Sequence, residues 1–296
     1  MQPIEPNTQG IIRHPAIRLL IAILMLGITT FVASAAARFI DIKGDAWRSV
    51  AASCVVAAIF VAMYAGFCRW IEQRPAVEFA PRGAGVQILL GLVLGTAIFS
   101  AVVGVIALGG GYQVLATRGP VVLVPALAIA IVSGFTEEIV FRGFVFRLTE
   151  EWLGSWGALA ISAALFGGLH LGNHNATWFA AVAIAFEAGI LLAGLYMITR
   201  TLWAPIGLHA AWNFVEGGVY SIPISGGNFN GLLVPRITGS DLLTGGAFGA
   251  EASLPAMGVA TAAGLILVWI AWKRGRFVQP LWVRRRQSAA GVGSQA

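Results

Sequence analysis

The sequence predicts an all-α fold: a polytopic transmembrane helical bundle with about eight membrane-spanning helices. Three observations predict it. Of 296 residues, 58% are hydrophobic and only 11% are charged, where a soluble domain carries about 25% charged residues; the mean hydropathy is +0.82. Apolar runs near the ~20 residues needed to cross a bilayer recur along the whole chain. One of them, Gly119 to Thr136, holds 18 residues without a charge and then meets Glu137, Glu138 and Arg142.

The net charge of +6 would suggest nucleic acid in a soluble protein. In a membrane protein, basic residues set orientation and meet anionic lipid, so membrane lipid is the expected partner and nucleic acid is not.

In chain order, residues 1–18 read as a cytoplasmic tail. Arg13 and Arg18 precede the run 19–37, which ends in small residues as a signal peptide does. It is longer than a typical signal core and further spans follow, so it reads as a retained first span. The runs 49–68 and 86–108 complete an N-terminal region of three helices, 19–119. Gly91 and Gly95 in the third have the spacing of a helix-packing motif. Cys54 and Cys68 lie 14 positions apart, about 21 Å on a helix, beyond disulfide reach, and read as buried thiols.

Residues 120–220 carry four further runs, 120–142, 156–171, 177–198 and 203–220, the fourth span continuing toward Glu151. Residues 221–253 form a long Gly-rich outer loop, read as a lid or as a plain flexible connection. The last span, 254–272, leads into a basic tail, 273–296, whose Arg284, Arg285 and Arg286 suit an anionic lipid surface and whose end past Gln287 reads as disordered. With the N-terminus inside, 14 of the 19 Lys and Arg fall on the inner side and five on the outer. Both termini are therefore expected in the cytoplasm. Two Lys against 17 Arg suggest a GC-rich, bacterial source, and with it the plasma (inner) membrane.

The polar residues inside these runs carry the chemistry. A charge at mid-membrane costs about 2.5–3.5 kcal/mol, so three facing lipid would cost very roughly 8–10 kcal/mol; they must face protein or a wet cavity. Glu138 and Arg142 have the i, i+4 order of a helical ion pair. Glu137 lies about 100° round the helix and is left for base chemistry or metal ligation, unless all three form one structural knot. His170 closes Phe166-Gly167-Gly168-Leu169-His170, and Gly154 marks a turn about midway between Glu137 and His170, so a hairpin brings the two to similar depth. The glycines before His170 would admit another backbone. His209 and Asn213, at i and i+4, share one helix face and suit metal binding, oxyanion stabilisation or interhelical glue. Glu187 and Glu216 read as supports of the site. His174 reads as a solvated loop residue, and His14 as part of the tail. No P-loop, dinucleotide fingerprint, G-x-S-x-G or H-E-x-x-H is present.

Together, Glu137-Glu138-x-x-x-Arg142, Phe166-x-x-x-His170 and His209-x-x-x-Asn213, in this order on successive apolar segments, resemble the motifs of the CPBP intramembrane proteases. That family includes the type 2 CAAX prenyl endoproteases and the bacterial Abi and lysostaphin-resistance-like proteins. The resemblance covers about residues 120–220. It implies an eight-helix fold with a polar cavity open to the cytosol and an endopeptidase cutting a peptide or protein substrate, anchored to the membrane or not. Glu137 would be the base activating water, with Glu138 and Arg142 orienting it. His170 would position the water, and His209 and Asn213 would stabilise the oxyanion. Zinc held by Glu137, His170 and His209 is allowed by the resemblance, as is a metal-free mechanism. The other readings are a non-catalytic immunity or scaffold protein on the same fold, and a proton-coupled transporter, which no inverted repeat supports.

Overall fold

The fold was analysed in a computed structural model that describes residues 14–40 and 45–293, and side chains as far as Gln287. Arg13 and Lys43, both counted in the charge bias, lie outside the described residues.

Each of the eight apolar runs falls on helix. They are α1 (Pro15–Ile40), α2 (Ala46–Ile71), α3 (Ala84–Leu108), α4 (Leu123–Glu138, continued by a π-helical stretch Ile139–Phe146), α5 (Arg147–Leu169), α6 (Trp178–Thr199), α7 (Trp203–Asn213, continued as π-helix over Phe214–Val219) and, past a four-residue α8 (Asp241–Thr244), α9 (Leu254–Lys273). Among the described residues, six helices are long and apolar enough to cross a membrane. The count is lower than eight for two reasons. Helices α4 and α5 run on without an unwound linker, as Pro120–Gly172, and α7 with its π extension is short. The chain turns at Gly154, inside the range of α5, at φ 79° and ψ 173°, a backbone conformation that glycine adopts without strain.

Starts are fixed by side-chain caps. Asp45 accepts from the N–H groups of Trp47 and Arg48 at α2, Thr177 from Ala180 at α6, and Ser253 from Ala256 at α9. Exposed Leu20, Leu24, Phe31, Val86, Leu89 and Leu265 mark the outward faces of α1, α3 and α9, as expected of helices with lipid for a solvent. Exposed tryptophans collect at both ends, Trp47 and Trp178 at one, Trp70, Trp152, Trp156, Trp272 and Trp282 at the other, the arrangement of interfacial anchors. The Gly91/Gly95 motif packs as read. A Cβ on either would run into the backbone of α7 at Ala204 or Leu208, so α3 and α7 touch along their main chains.

The two ends of the bundle differ in kind. At one, ion pairs tie the helices together. Buried Glu72 accepts from Arg18 of α1 (2.9 Å), Arg147 of α5 (2.9 Å) and Arg74 (2.8 Å). Arg18 also pairs with Glu151, and Arg200 with Glu150, while Ser155 and Val278 exchange hydrogen bonds. At the opposite end lie the connections 108–123, 170–178 and 219–254. There β1 (Tyr112–Thr117) pairs antiparallel with β2 (Leu233–Ile237), Arg118 donates to the carbonyl of Gly231 (2.8 Å), and the Gly226 N–H donates to the Phe248 carbonyl.

Several expectations are corrected. The N-terminal tail ends sooner than residue 18: His14 caps α1, its Nδ1 accepting from the Ala16 N–H, and Arg18 is a buried member of the ion-pair layer. The 221–253 connection is not a plain flexible loop but a folded cover holding β2, α8 and a 3₁₀ turn at Ala250–Ala252. Beyond Gln287 the backbone stays helical in α10 (Leu281–Gly293). Cys68 is buried as expected, whereas Cys54 is exposed, because it lies on the outward face of α2.

Candidate active site

Glu137 and Glu138 end the regular part of α4, where the helix widens into its π stretch; such insertions concentrate at functional sites. The two carboxylates part company as the 100° step requires. Glu138 is fully buried. Its Oε1 accepts from Arg142 Nη1 at 3.0 Å and from His209 Nδ1 at 2.8 Å. Arg142 is also fully buried and donates from Nη2 to the carbonyls of Ala188 (3.0 Å) and Gly189 (3.3 Å). Both carbonyls belong to the π-helical stretch Ala185–Gly189 of α6, where the shifted hydrogen-bond register leaves them able to accept a side chain. Three helices are thereby locked on one guanidinium, whose carbon lies 4.8 Å from the Phe166 ring centre.

Glu137 remains outside that knot. Its side chain keeps about a third of its exposure. Its Oε2 stands 3.8 Å from His209 Nε2, beyond hydrogen-bond distance. Because carboxylates only accept, the bond to Glu138 puts a proton on His209 Nδ1 and leaves Nε2 facing Glu137. His170 is held the same way: its Nδ1–H donates to the Phe166 carbonyl at 2.7 Å, freeing Nε2. Asn213 donates from Nδ2 to Ser133 Oγ at 2.7 Å, and Ser133 in turn donates to the Ile129 carbonyl at 2.8 Å. One N–H of the Asn213 amide is thus spoken for, and the amide is fixed in orientation.

Close helix approach makes these distances reachable. A Cβ on Gly134 would sit 3.1 Å from the Ile206 carbonyl of α7, and one on Gly167 would collide with the Ala181 carbonyl of α6. Gly168 has open space beside it, so only the first of the two glycines before His170 serves packing.

Glu137, His170, His209 and Asn213 line one cavity of about 120 Å³ with Ser133, Phe166, Trp212, Ser225 and Glu251. Ser133, Trp212, Ser225 and Glu251 escaped sequence reasoning. Ser133 is one helical turn before Glu137, a spacing that could have flagged it. Ser225 comes from the folded cover, where Glu251 accepts from its N–H (2.9 Å) and hydroxyl (2.6 Å), and no local pattern announces it. Glu137 also borders a wider apolar groove of about 450 Å³ between α1, α2 and α4, with Ala33, Phe60 and Val140 on its walls. Glu187 and Glu216, expected to support the site, are fully buried in π turns of α6 and α7, and Glu216 lies against Trp212 of the cavity wall. His174 is exposed in its loop, as read.

A catalytic zinc takes three protein ligands and an open position. Glu137 and His209 offer two donors, but among the described residues no three His, Cys, Asp or Glu side chains group to hold a metal ion. His170 therefore does not complete the set.

The cavity extends from Glu137 toward the end of the bundle carrying 170–178 and 219–254. The sequence reading expected a cavity open to the cytosol and also termini in the cytosol. α1 starts and α9 finishes at the ion-paired end, opposite to those connections.

Fold and site define an integral membrane protein with a glutamate–histidine centre enclosed by four helices. Residues 119–215, about a third of the chain, match the family model described as type II CAAX prenyl endopeptidase Rce1-like, and this match supports the resemblance to the CPBP intramembrane proteases. Neither the comparison with curated proteins nor that with solved structures gave a match.

Proposed function

We propose that the protein is an intramembrane endopeptidase that hydrolyses a peptide bond with water activated by Glu137. The observation that carries this reading is the 3.8 Å gap between Glu137 Oε2 and His209 Nε2, inside a cavity with apolar walls and three oriented polar groups. The family match supports peptidase chemistry.

The roles follow from the donors and acceptors. Glu137 accepts a proton from water, and the oxygen attacks the substrate carbonyl carbon. The second water hydrogen is held by His170 Nε2, whose lone pair is free because Nδ1 is occupied. The tetrahedral oxyanion is met by the Asn213 N–H that Ser133 does not use, and by His209 Nε2 when that ring carries both protons. Glu137 then returns its proton to the leaving amine. Glu138 and Arg142 take no proton; Glu138 holds the His209 ring in place through Nδ1–H. The apolar groove beside Glu137 suits the membrane-embedded part of an anchored substrate.

The test is cleavage of a peptide library and of membrane-anchored peptides by purified protein, beside Glu137→Gln. General-base loss is expected to lower kcat about 10²–10⁴-fold, with unchanged membrane accumulation. A fully active Glu137→Gln would sink the assignment of the base.

A further inference from the structure

We infer that the cavity beside Glu137 receives a basic side chain, with Glu251 as its counter-charge, so that the favoured substrates carry Lys or Arg close to the scissile bond. The substrate class rests on the peptidase reading above; the affinity of the cavity for a cationic side chain does not.

Among the described residues six glutamates are buried: Glu78, Glu138, Glu150, Glu187, Glu216 and Glu251. A buried carboxylate needs a cation or hydrogen-bond donors to offset its lost hydration. Three of the six have an arginine. Arg74 pairs with Glu78, Arg142 with Glu138 and Arg200 with Glu150. Glu187, Glu216 and Glu251 enter no ion pair among the described residues.

The three without a partner are neighbours. Glu187 comes from the π turn of α6, Glu216 from that of α7, and Glu251 from the 3₁₀ turn of the cover. Glu187 and Glu216 both lie within electrostatic range of Glu251, and Glu216 also within range of Glu187. All four carboxylate oxygens of Glu187 and Glu216 are buried without a hydrogen bond, although Trp212 and the Ala250 backbone stand beside Glu216. The basic groups of this end of the bundle are engaged elsewhere. Arg118 donates to Ser221 and to the carbonyls of Gly231 and Leu233, while His174 and Arg236 are exposed.

Glu251 is the member that meets the cavity, which it lines together with Ser225 and Glu137. Its Oε2 accepts from the Ser225 N–H at 2.9 Å and from the Ser225 hydroxyl at 2.6 Å. Two neutral donors orient the carboxylate and leave its charge without a counter-ion. An ammonium or guanidinium arriving with a peptide meets an acceptor-only group already aimed. The hydrogen bonds it forms there are charge-assisted, about twice as strong as neutral ones. A neutral side chain of the same size would leave Glu251 covered and unpaired, which disfavours the uncharged substrate as much as the cation favours the charged one.

The test compares peptides, soluble and membrane-anchored, that carry Arg with the same peptides carrying citrulline, which keeps the size and loses the charge. Cleavage by the purified full chain is read as kcat/KM, and binding of the same peptides to Glu137→Gln as Kd. The Arg peptides are expected to be favoured at least about tenfold in both, the effect of a hydrogen bond to a charged group. The ratio should fall to about one in Glu251→Gln, whose amide oxygen can still accept from Ser225, and return in part in Glu251→Asp. A ratio near one in the wild-type cavity overturns the inference whatever the variants do. So does failure of every Arg peptide to bind, or a preference that Glu251→Gln keeps. Stabilisation by sodium or calcium chloride that Glu251→Gln loses, with a peptide ratio near one, would give the place to a solvent cation and likewise overturn it. An Arg preference in Kd without cleavage of any peptide would defeat the peptidase reading alone.

Discussion

Glu138 and His209, 71 positions apart, are joined by a 2.8 Å hydrogen bond from His209 Nδ1 to Glu138 Oε1, and the same oxygen takes Arg142 Nη1 at 3.0 Å. One buried carboxylate oxygen therefore fixes both the tautomer of a histidine on α7 and the charge balance of an arginine on α4. Tautomer and charge can be separated by mutation. Glu138→Gln is expected to lower kcat about 10²–10⁴-fold, as loss of a tautomer-setting carboxylate does elsewhere. It also leaves the Arg142 charge buried and unpaired, a cost of about 3–5 kcal/mol. Adding Arg142→Leu should restore membrane accumulation without restoring cleavage. Recovery of both together would mean that the pair serves stability only.

The oxyanion assignment predicts a different signature at Asn213. With one N–H given to Ser133, a single donor is left for the substrate oxygen. Asn213→Ala should lower kcat about 10²–10³-fold, the usual effect of losing one oxyanion donor, with little change in KM. Ser133→Ala keeps the amide but frees its orientation, and a loss smaller than that of Asn213→Ala is expected. If Ser133→Ala costs as much or more in steady-state kinetics, Ser133 itself touches the substrate.

Helix approach gives a structural prediction. A Cβ on Gly167 would fall on the Ala181 carbonyl, with Ala185 at 2.8 Å behind it. Neither backbone can yield cheaply, so Gly167→Ala should cost about 1–3 kcal/mol, the range for overpacking, and displace His170. Gly168→Ala, with open space beside it, should leave thermal stability in detergent within about 0.5 kcal/mol of wild type. Equal losses in the two variants would contradict the α5–α6 packing described above.

Much of this was legible in the sequence, and the reasons differ by residue. The apolar runs revealed every spanning helix because lipid demands length and hydropathy of each segment separately. The split between Glu137 and Glu138 followed from the 100° helical step, and the pairing of Glu138 with Arg142 from their spacing. What the sequence hid are relationships between segments. The bond from Glu138 to His209 spans three helices. The ribbon of β1 with β2 joins strands more than 100 residues apart, and neither strand has a turn beside it to signal a hairpin. Arg18 read as tail because its partners, Glu72 and Glu151, are far along the chain. The folded state of 221–253 was obscured by glycines, which mark tight turns there rather than freedom.

The ion-pair layer carries a pH dependence. Burial raises the Glu72 pKa, but Arg147, Arg74 and Arg18 outweigh it and hold the carboxyl below the usual carboxylate range. A depressed folded pKa stabilises the fold above the unfolded value, about 4.3, and that contribution disappears as pH falls through the folded pKa. Detergent-solubilised protein should therefore lose Tm below about pH 4. Glu72→Gln should show a lower Tm at neutral pH and a flatter acid limb. An unchanged acid limb in Glu72→Gln would move the effect to other carboxylates of the layer, Glu78 or Glu151.

The donor arrangement finally makes a statement about metal. Glu137 and His209 face each other across 3.8 Å, but among the described residues no third His, Cys, Asp or Glu joins them in a metal-holding group, and His170 Nδ1 is committed to the Phe166 carbonyl. Hydrolysis by the route above needs only Glu137, the two histidines and Asn213. Cleavage by purified protein is thus expected to persist in excess chelator, and metal analysis should give well under one zinc per chain. His170→Ala should then slow turnover through loss of water positioning, by about 10²-fold or more, without changing metal content. Near-stoichiometric zinc that disappears in His170→Ala and in His209→Ala, together with chelator-sensitive cleavage, would overturn this. The three residues would then have to converge on a metal in the working enzyme, with His170 Nε2 swinging toward Glu137 while its Nδ1–H keeps the Phe166 carbonyl, the outer hydrogen bond that metal-bound histidines ordinarily retain.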